Sequence, residues 1–133
     1  SGGMIAAVLL LAGTALAPPP DWNCDDPQVQ QEMNWCAAQG FEKADAALNA
    51  HWKKAAAAMK ARDADQTLPG DDRPGHFATL LEAQRAWIAF RDAQCRSEGY
   101  LFRGGSMEPL LVHTCMTRLS EERTQQLRYL IEQ

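Results

Sequence analysis

The spacing of apolar positions along the chain predicts a long first helix. Small and apolar residues recur every three or four positions, which is the spacing of one helical face. These positions are Met33, Cys36, Gly40, Ala44, Leu48, Trp52, Ala55 and Met59. The helix is expected to begin near Pro27, with Asp25 or Asp26 as its N-cap. It is expected to end between Asp63 and Gln66.

A second amphipathic stretch, from about Gly75 to Glu98, carries an arginine on its apolar face. Its core stripe consists of Phe77, Leu80 or Leu81, Gln84, Ile88, Arg91 and Cys95. Trp87 and Phe90 flank Arg91, so the guanidinium is expected to point toward the interior. A buried arginine without an acidic partner is strongly destabilising. The sequence therefore predicts that a carboxylate from another helix meets Arg91.

Asp45 is the predicted partner of Arg91. It lies beside the apolar stripe of the first helix, one turn away from Asn49. Together with Gln84, these residues form a predicted structural polar network. The alternative, in which Asp45 and Arg91 are both solvated surface residues, is equally compatible with the sequence.

Two breaks separate the predicted helices. Residues 65–75 contain two prolines and two glycines without an apolar period, and residues 99–106 contain adjacent glycines that allow unusual backbone angles. Ser106 is predicted to cap a third helix. The apolar stripe of that helix is Leu110 or Leu111, Thr114 or Cys115, Leu119, Gln126 and Leu130. With no strand pattern, the predicted fold is all-α, a small antiparallel three-helix bundle.

The N-terminal residues predict export from the cytoplasm. Residues 1–3 are interpreted as the remnant of an expression tag and residues 4–17 as a signal peptide, because this apolar, uncharged segment ends in the small-x-small pattern of a cleavage site. It is too short to span a bilayer, and no cysteine follows the site to carry a lipid, so no stable membrane anchor is expected. The alternative is an ordinary apolar helix. Residues 18–133 form the single predicted domain.

Four cysteines, Cys24, Cys36, Cys95 and Cys115, agree with export. An even number in a small exported chain predicts two disulfides. The alternative is a four-thiolate zinc site, but zinc ligands usually come in close pairs, and the intervals between these cysteines are longer. Antiparallel packing would bring the last three cysteines to one end of the bundle, so any of the three pairings is sterically feasible, although Cys24–Cys36 is expected to be strained if the first helix begins at Pro27.

Charge and composition narrow the range of functions. The net charge of −4, with the two signs interspersed, argues against a nucleic acid partner. His51, His76 and His113 lack the spacing of metal ligands, and Ser106 lacks the motif of an activated nucleophile. We therefore expect no catalytic residue, no metal and no cofactor, and we expect that the chain is not an enzyme.

Five groups of residues follow one another along the chain. They are Cys24-x11-Cys36; Lys43-Ala44-Asp45-x2-Leu48-Asn49; Gln84-Arg85-Ala86-Trp87-x2-Phe90-Arg91-Asp92-x2-Cys95; Gly104-Gly105-Ser106; and Cys115-x-Thr117 with Arg123. This order resembles the LprI-like lysozyme-inhibitor family of exported bacterial proteins. The resemblance implies an exported helical domain, and the family's named member inhibits lysozyme. That member is anchored by a lipid, whereas this sequence lacks the lipid-bearing cysteine.

Two functional hypotheses follow. The first is a non-enzymatic inhibitor that binds lysozyme, in which an exposed loop presents aromatic and glycine residues to the cleft of the enzyme while acidic groups attract this basic partner. The candidate partner-binding residues are Tyr100, Phe102, Arg103, Gly104, Gly105 and Ser106. The second is a structural or interaction module that binds another envelope protein. Both imply a periplasmic or secreted protein.

Overall fold

Three helices form the computed structural model, which describes residues 21–133. They are α1, Gln30–Ala64, α2, His76–Gly99, and α3, Glu108–Glu132, with a single 3-10 turn at Tyr100–Phe102 between the last two. This part of the chain contains no strand, and the predicted antiparallel three-helix bundle is confirmed.

The predictions for the N-terminus concern residues outside this range. The tag remnant, residues 1–3, and the signal peptide, residues 4–17, both lie outside the described residues. From residue 21 onward, no helix is both long enough and apolar enough to cross a membrane.

A buried apolar cluster holds the three helices together. Its members are Leu48, Ala55, Met59, Leu80 and Leu127, with Trp52, Phe77, Trp87 and Leu130 among the residues packed around it. The helices alternate in direction, and the interface between α1 and α3 is the most extensive. Each fully buried leucine stabilises the fold by roughly 1.5–3 kcal/mol.

The first helix begins later than the sequence pattern predicts. Its N-cap is Val29, so the prediction of Asp25 or Asp26 as the cap is wrong. The physical reason is that a side chain inside the helix accepts hydrogen bonds from backbone N–H groups that precede the helix. The buried carboxylate of Glu32 accepts hydrogen bonds from the backbone N–H groups of Gln28, at 2.5 Å, and of Asn23, at 3.0 Å.

The second helix is capped by a side chain from the first. One carboxylate oxygen of Asp63 accepts the backbone N–H of His76 at 2.6 Å, and the other accepts that of Phe77 at 3.0 Å. These bonds, with Phe77 contributing most, lower the pKa of Asp63 below its ordinary value of 3.8. A Cβ on Gly75 would lie only 2.8 Å from the Asp63 carboxylate, so this cap depends on glycine at the entry to α2.

Two of the predicted core stripes are displaced. On α2, Leu80, Gln84, Arg91 and Cys95 are buried as predicted, but Ile88 is 41% exposed, and its assignment to the core is wrong. Its neighbour Trp87 lies against the apolar cluster instead. On α3, Gln126 is exposed, and the buried residues are Cys115, Ser120, Arg123, Thr124 and Leu127.

The prediction of two disulfides is confirmed. Cys24 bonds to Cys36, and Cys95 bonds to Cys115. The first bond ties the segment before α1 onto that helix, where the rings of Trp22 and Trp35 also meet. The second bond joins the last turns of α2 to α3. Because all four sulfurs are used, the four-thiolate zinc alternative is wrong.

Candidate functional site

The segment between α2 and α3 exposes three consecutive apolar side chains. Tyr100, Leu101 and Phe102 are 46%, 76% and 47% exposed, respectively. They form the 3-10 turn that continues directly from α2. We call residues 100–106, which contain all the predicted partner-binding residues, the 100–106 loop.

Backbone hydrogen bonds hold this loop in one conformation. The N–H of Arg103 donates to the carbonyl of Tyr100, and the N–H of Gly105 donates to that of Phe102 at 2.8 Å. Gly104 has a φ of +80°, a left-handed angle that favours glycine. A Cβ on Gly105 would lie 3.2 Å from the carbonyl oxygen of Phe102. Both glycines are therefore part of the turn geometry.

Buried contacts anchor the loop at both ends. The Cys95–Cys115 disulfide is fully buried beside it. Gly99 packs so closely on α3 that an added Cβ would lie 2.5 Å from a methyl carbon of Val112. These contacts fix the ends of α2 and α3 from which the loop extends.

Two side chains add polar anchors to the loop backbone. The side-chain amide of Asn34 in α1 donates to the carbonyl oxygen of Ser106 at 2.9 Å, and the carboxylate of Glu108 accepts the N–H of Gly104 at 3.2 Å. The N-cap of α3 is Met107, without a side-chain hydrogen bond. The prediction that Ser106 caps α3 is therefore wrong: Ser106 lies in a turn closed by a hydrogen bond from the N–H of Glu108 to the carbonyl of Gly105, so the helix begins one residue later than predicted.

Potential metal-ligand atoms also meet beneath the loop. Cys95, Glu98 and Cys115 place such atoms within 4.8 Å of one another. Metal binding requires the thiolate form of cysteine, whereas these two sulfurs are bonded to each other. The remaining carboxylate pairs with Arg118 at 2.9 Å. The arrangement supports the joint between α2 and α3 and offers no open ligand set.

The predicted polar network lies in the middle of the bundle. The structure places the guanidinium of Arg91 3.6 Å from the carboxylate of Asp45. Arg91 also contacts Asp92 at 3.1 Å and donates to the hydroxyl of Ser120 at 3.4 Å. Asn49 donates to Asp45 at 3.4 Å. Arg91 thus links all three helices through polar contacts.

Gln84, the fourth predicted member of the network, bonds to a different arginine. Its side-chain oxygen accepts a hydrogen bond from Arg123 at 2.8 Å. Arg123 is buried, and burial lowers its pKa. One of its terminal nitrogens has no hydrogen-bond partner among the described residues. The ring of Trp87 lies beside both Arg123 and Arg91, 6.0 and 5.0 Å from their guanidinium carbons.

Apolar periodicity did not identify Arg123 and Ser120 as buried residues. It followed the large apolar residues of α3, Leu119 and Leu130, which are only partly buried. Ser120 and Arg123, which bond to residues of α2, are polar, and apolar periodicity gives polar residues no weight. The spacing of Ser120, Thr124 and Leu127 was the available signal, because these positions share one helical face.

Comparison with known proteins covers nearly all of the described chain. A family model described as "Lysozyme inhibitor LprI" matches residues 24–127, a range that contains both disulfides, the polar network and the 100–106 loop. An uncharacterized protein of Rhizobium meliloti (strain 1021) is 38% identical over 128 residues, which cover 96% of this chain and 92% of that protein. No solved structure gives a significant match.

Proposed function

The chain belongs to the LprI lysozyme inhibitor family, and from this premise we propose that it binds a lysozyme through the 100–106 loop and inhibits it. The inhibitor is non-enzymatic: it blocks the enzyme by occupying its surface. The proposal rests on one structural observation, namely three exposed apolar side chains on a backbone that is held in one conformation.

The loop has the chemistry of an interface anchor. Aromatic side chains are enriched at the energetic centres of protein interfaces, and Tyr100 and Phe102 supply two of them. A loop already held in its bound shape loses little conformational entropy on binding. The buried disulfide and the bonds from Asn34 and Glu108 provide that order before a partner arrives.

Charge favours association with a basic enzyme. The chain carries a net charge of −4, and opposite net charges accelerate the encounter of two proteins. This contribution acts mainly on the association rate and weakens as ionic strength rises. The apolar loop then supplies the contact that slows dissociation.

The compartment in the proposal is the periplasm or the outside of the cell. Two disulfides support it, because such bonds persist in oxidising compartments and are rare in the cytosol. The family membership supports the same location.

The test is a cell-wall clearing assay with lysozyme and increasing amounts of the purified chain. We expect clearing to stop near a stoichiometric ratio. Phe102→Ser should weaken inhibition about tenfold or more, as expected for an interface anchor. The matched control is Phe90→Ser, which alters a similarly exposed phenylalanine on α2 and should change inhibition less than about twofold.

Unimpaired clearing at a molar excess of the chain would contradict the proposal. It would favour the alternative, an interaction module for another envelope protein. Equal effects of the two phenylalanine variants would keep lysozyme as the partner but move the contact away from the loop.

A further inference from the structure

Arg103 is the one charged residue between Gly99 and Met107 in the sequence. Its side chain is exposed, and its guanidinium carbon lies 4.4 Å from the centre of the Tyr100 ring. Stacking on an aromatic face is favourable for a guanidinium and restricts the positions of the side chain. The loop therefore carries a single oriented positive charge beside exposed aromatic surface.

The acidic residues next to the loop have partners other than Arg103. Glu98 pairs with Arg118 at 2.9 Å, and Glu108 accepts the N–H of Gly104. Among residues 21–133, Arg103 forms no ion pair. Its five N–H donors are thus free for a partner, although the protein as a whole is acidic.

The tip of the loop carries little side-chain bulk beyond Arg103. Gly104 and Gly105 follow Arg103 directly, and no atom lies within 4 Å of the position that a Cβ of Gly104 would take. At Gly104, therefore, no side chain prevents the loop backbone from entering a cleft. The apolar residues that precede Arg103 match the largely apolar and aromatic lining of ligand clefts.

The cleft of a glycoside hydrolase carries acidic groups, which complement the positive charge of Arg103. Such enzymes carry two carboxyl groups on either side of the bond that they cleave. A guanidinium binds a carboxylate through two parallel N–H donors, which makes arginine better suited to this contact than lysine. Resting on the proposed function, we infer that the 100–106 loop enters the substrate cleft of lysozyme and that Arg103 binds a catalytic carboxylate there.

Competition and mutation together test this inference. Binding of the full chain to lysozyme is measured by titration calorimetry, with and without an N-acetylglucosamine trisaccharide that occupies the cleft. We expect the saturating sugar to weaken apparent binding in proportion to its concentration. Arg103→Ala should weaken binding roughly 30-fold or more, as for a buried interface arginine. The affinity of Arg103→Lys should lie between those of the unmodified chain and Arg103→Ala, since lysine keeps the charge without the planar donors.

The control variant is Arg85→Ala, which removes the same charge from an exposed position of α2, roughly 20 Å along the helix axis from the loop. It should change affinity less than about twofold. Binding that the trisaccharide does not affect would overturn the cleft assignment while the proposed inhibitor function stands. Equal affinities of the Ala variants at 103 and 85 would overturn the role of Arg103. Absence of any binding by the unmodified chain would refute the proposed function and this inference with it.

Discussion

The apolar cluster and the 100–106 loop lie toward opposite ends of the bundle, and different interactions hold them. Near the junction of α1 and α2, stability comes from buried side chains such as Met59, Leu80 and Leu127. Near the junction of α2 and α3, a disulfide and backbone hydrogen bonds hold a segment whose apolar side chains face solvent.

The difference shows how a small protein keeps an apolar surface both exposed and ordered. Apolar side chains that stay exposed for a partner do not stabilise the fold through burial. The order of that segment must then come from covalent and polar bonds. Mutations in the two regions should therefore separate stability from binding.

Loss of the buried disulfide is expected to have the largest effect. Replacing Cys95 and Cys115 together with Ala should lower the free energy of unfolding by roughly 2–5 kcal/mol and also weaken lysozyme binding, because the base of the loop is released. Urea denaturation and calorimetry measure the two effects. The matched control replaces Cys24 and Cys36, which lie at a more exposed site and should leave binding unchanged. Equal binding losses for the two pairs would remove the proposed distinction.

A cavity in the apolar cluster should affect stability alone. Leu127→Ala is expected to cost about 3 kcal/mol, since Leu127 is fully buried. Affinity for lysozyme should be unchanged under conditions where the variant remains folded. Leu68→Ala, in the exposed connection between α1 and α2, should cost less than about 0.5 kcal/mol. A change in affinity for Leu127→Ala would show that the two regions are coupled.

Mutations in the polar network between the two regions should have an intermediate effect on stability. Asp45→Leu should cost about 1 kcal/mol, because it leaves a buried guanidinium with only Asp92 and Ser120. Arg91→Met should cost less, since an apolar side chain of similar length replaces the buried charge. Melting temperatures compare the two variants. Negligible losses for both would indicate that Asp45 and Arg91 do not stabilise each other.

The geometry of the loop gives a smaller effect on stability. Gly104→Ala should cost about 1 kcal/mol, because the φ of +80° is unfavourable for a side chain. Gly70→Ala is the control, because its Cβ also meets nothing within 4 Å and its φ is ordinary. Thermal unfolding and the clearing assay would both be measured. If the loop shape matters for binding, inhibition falls in the first variant only.

The cap on α2 should contribute a pH-dependent stability, the smallest effect of the set. The pKa of Asp63 is lowered in the folded state, so its contribution is present above the unfolded value near 3.8 and is lost as the pH falls through the folded pKa. Urea denaturation should show the natural chain more stable than Asp63→Asn near neutral pH, with the difference shrinking in acid. A difference that does not change with pH would contradict the cap assignment.

Much of the architecture was predictable because it depends on local patterns. Apolar residues at helical spacing identified α1 and α2 to within a few residues at their ends, and the run of proline, glycine and aspartate identified the exposed connection between them. The number of cysteines predicted two disulfides. The adjacent glycines marked the segment that became the 100–106 loop.

Other features depended on which helices meet and at what angle. The cysteine pairing, the cap that Asp63 supplies to α2 and the burial of Arg123 all join residues that are distant in sequence. A periodic pattern defines a helical face but not the exact direction of its neighbours, so it could not choose between Ile88 and Trp87.

The sequence by itself determined three helices, their breaks and the presence of two cross-links, because backbone geometry and cysteine chemistry operate over short distances. Only the tertiary structure decided that Gln84 bonds to Arg123, that Asn34 holds Ser106 and that three apolar side chains stay outside the core. Those outcomes depend on close packing between helices, where the position of one side chain limits the space left for the next.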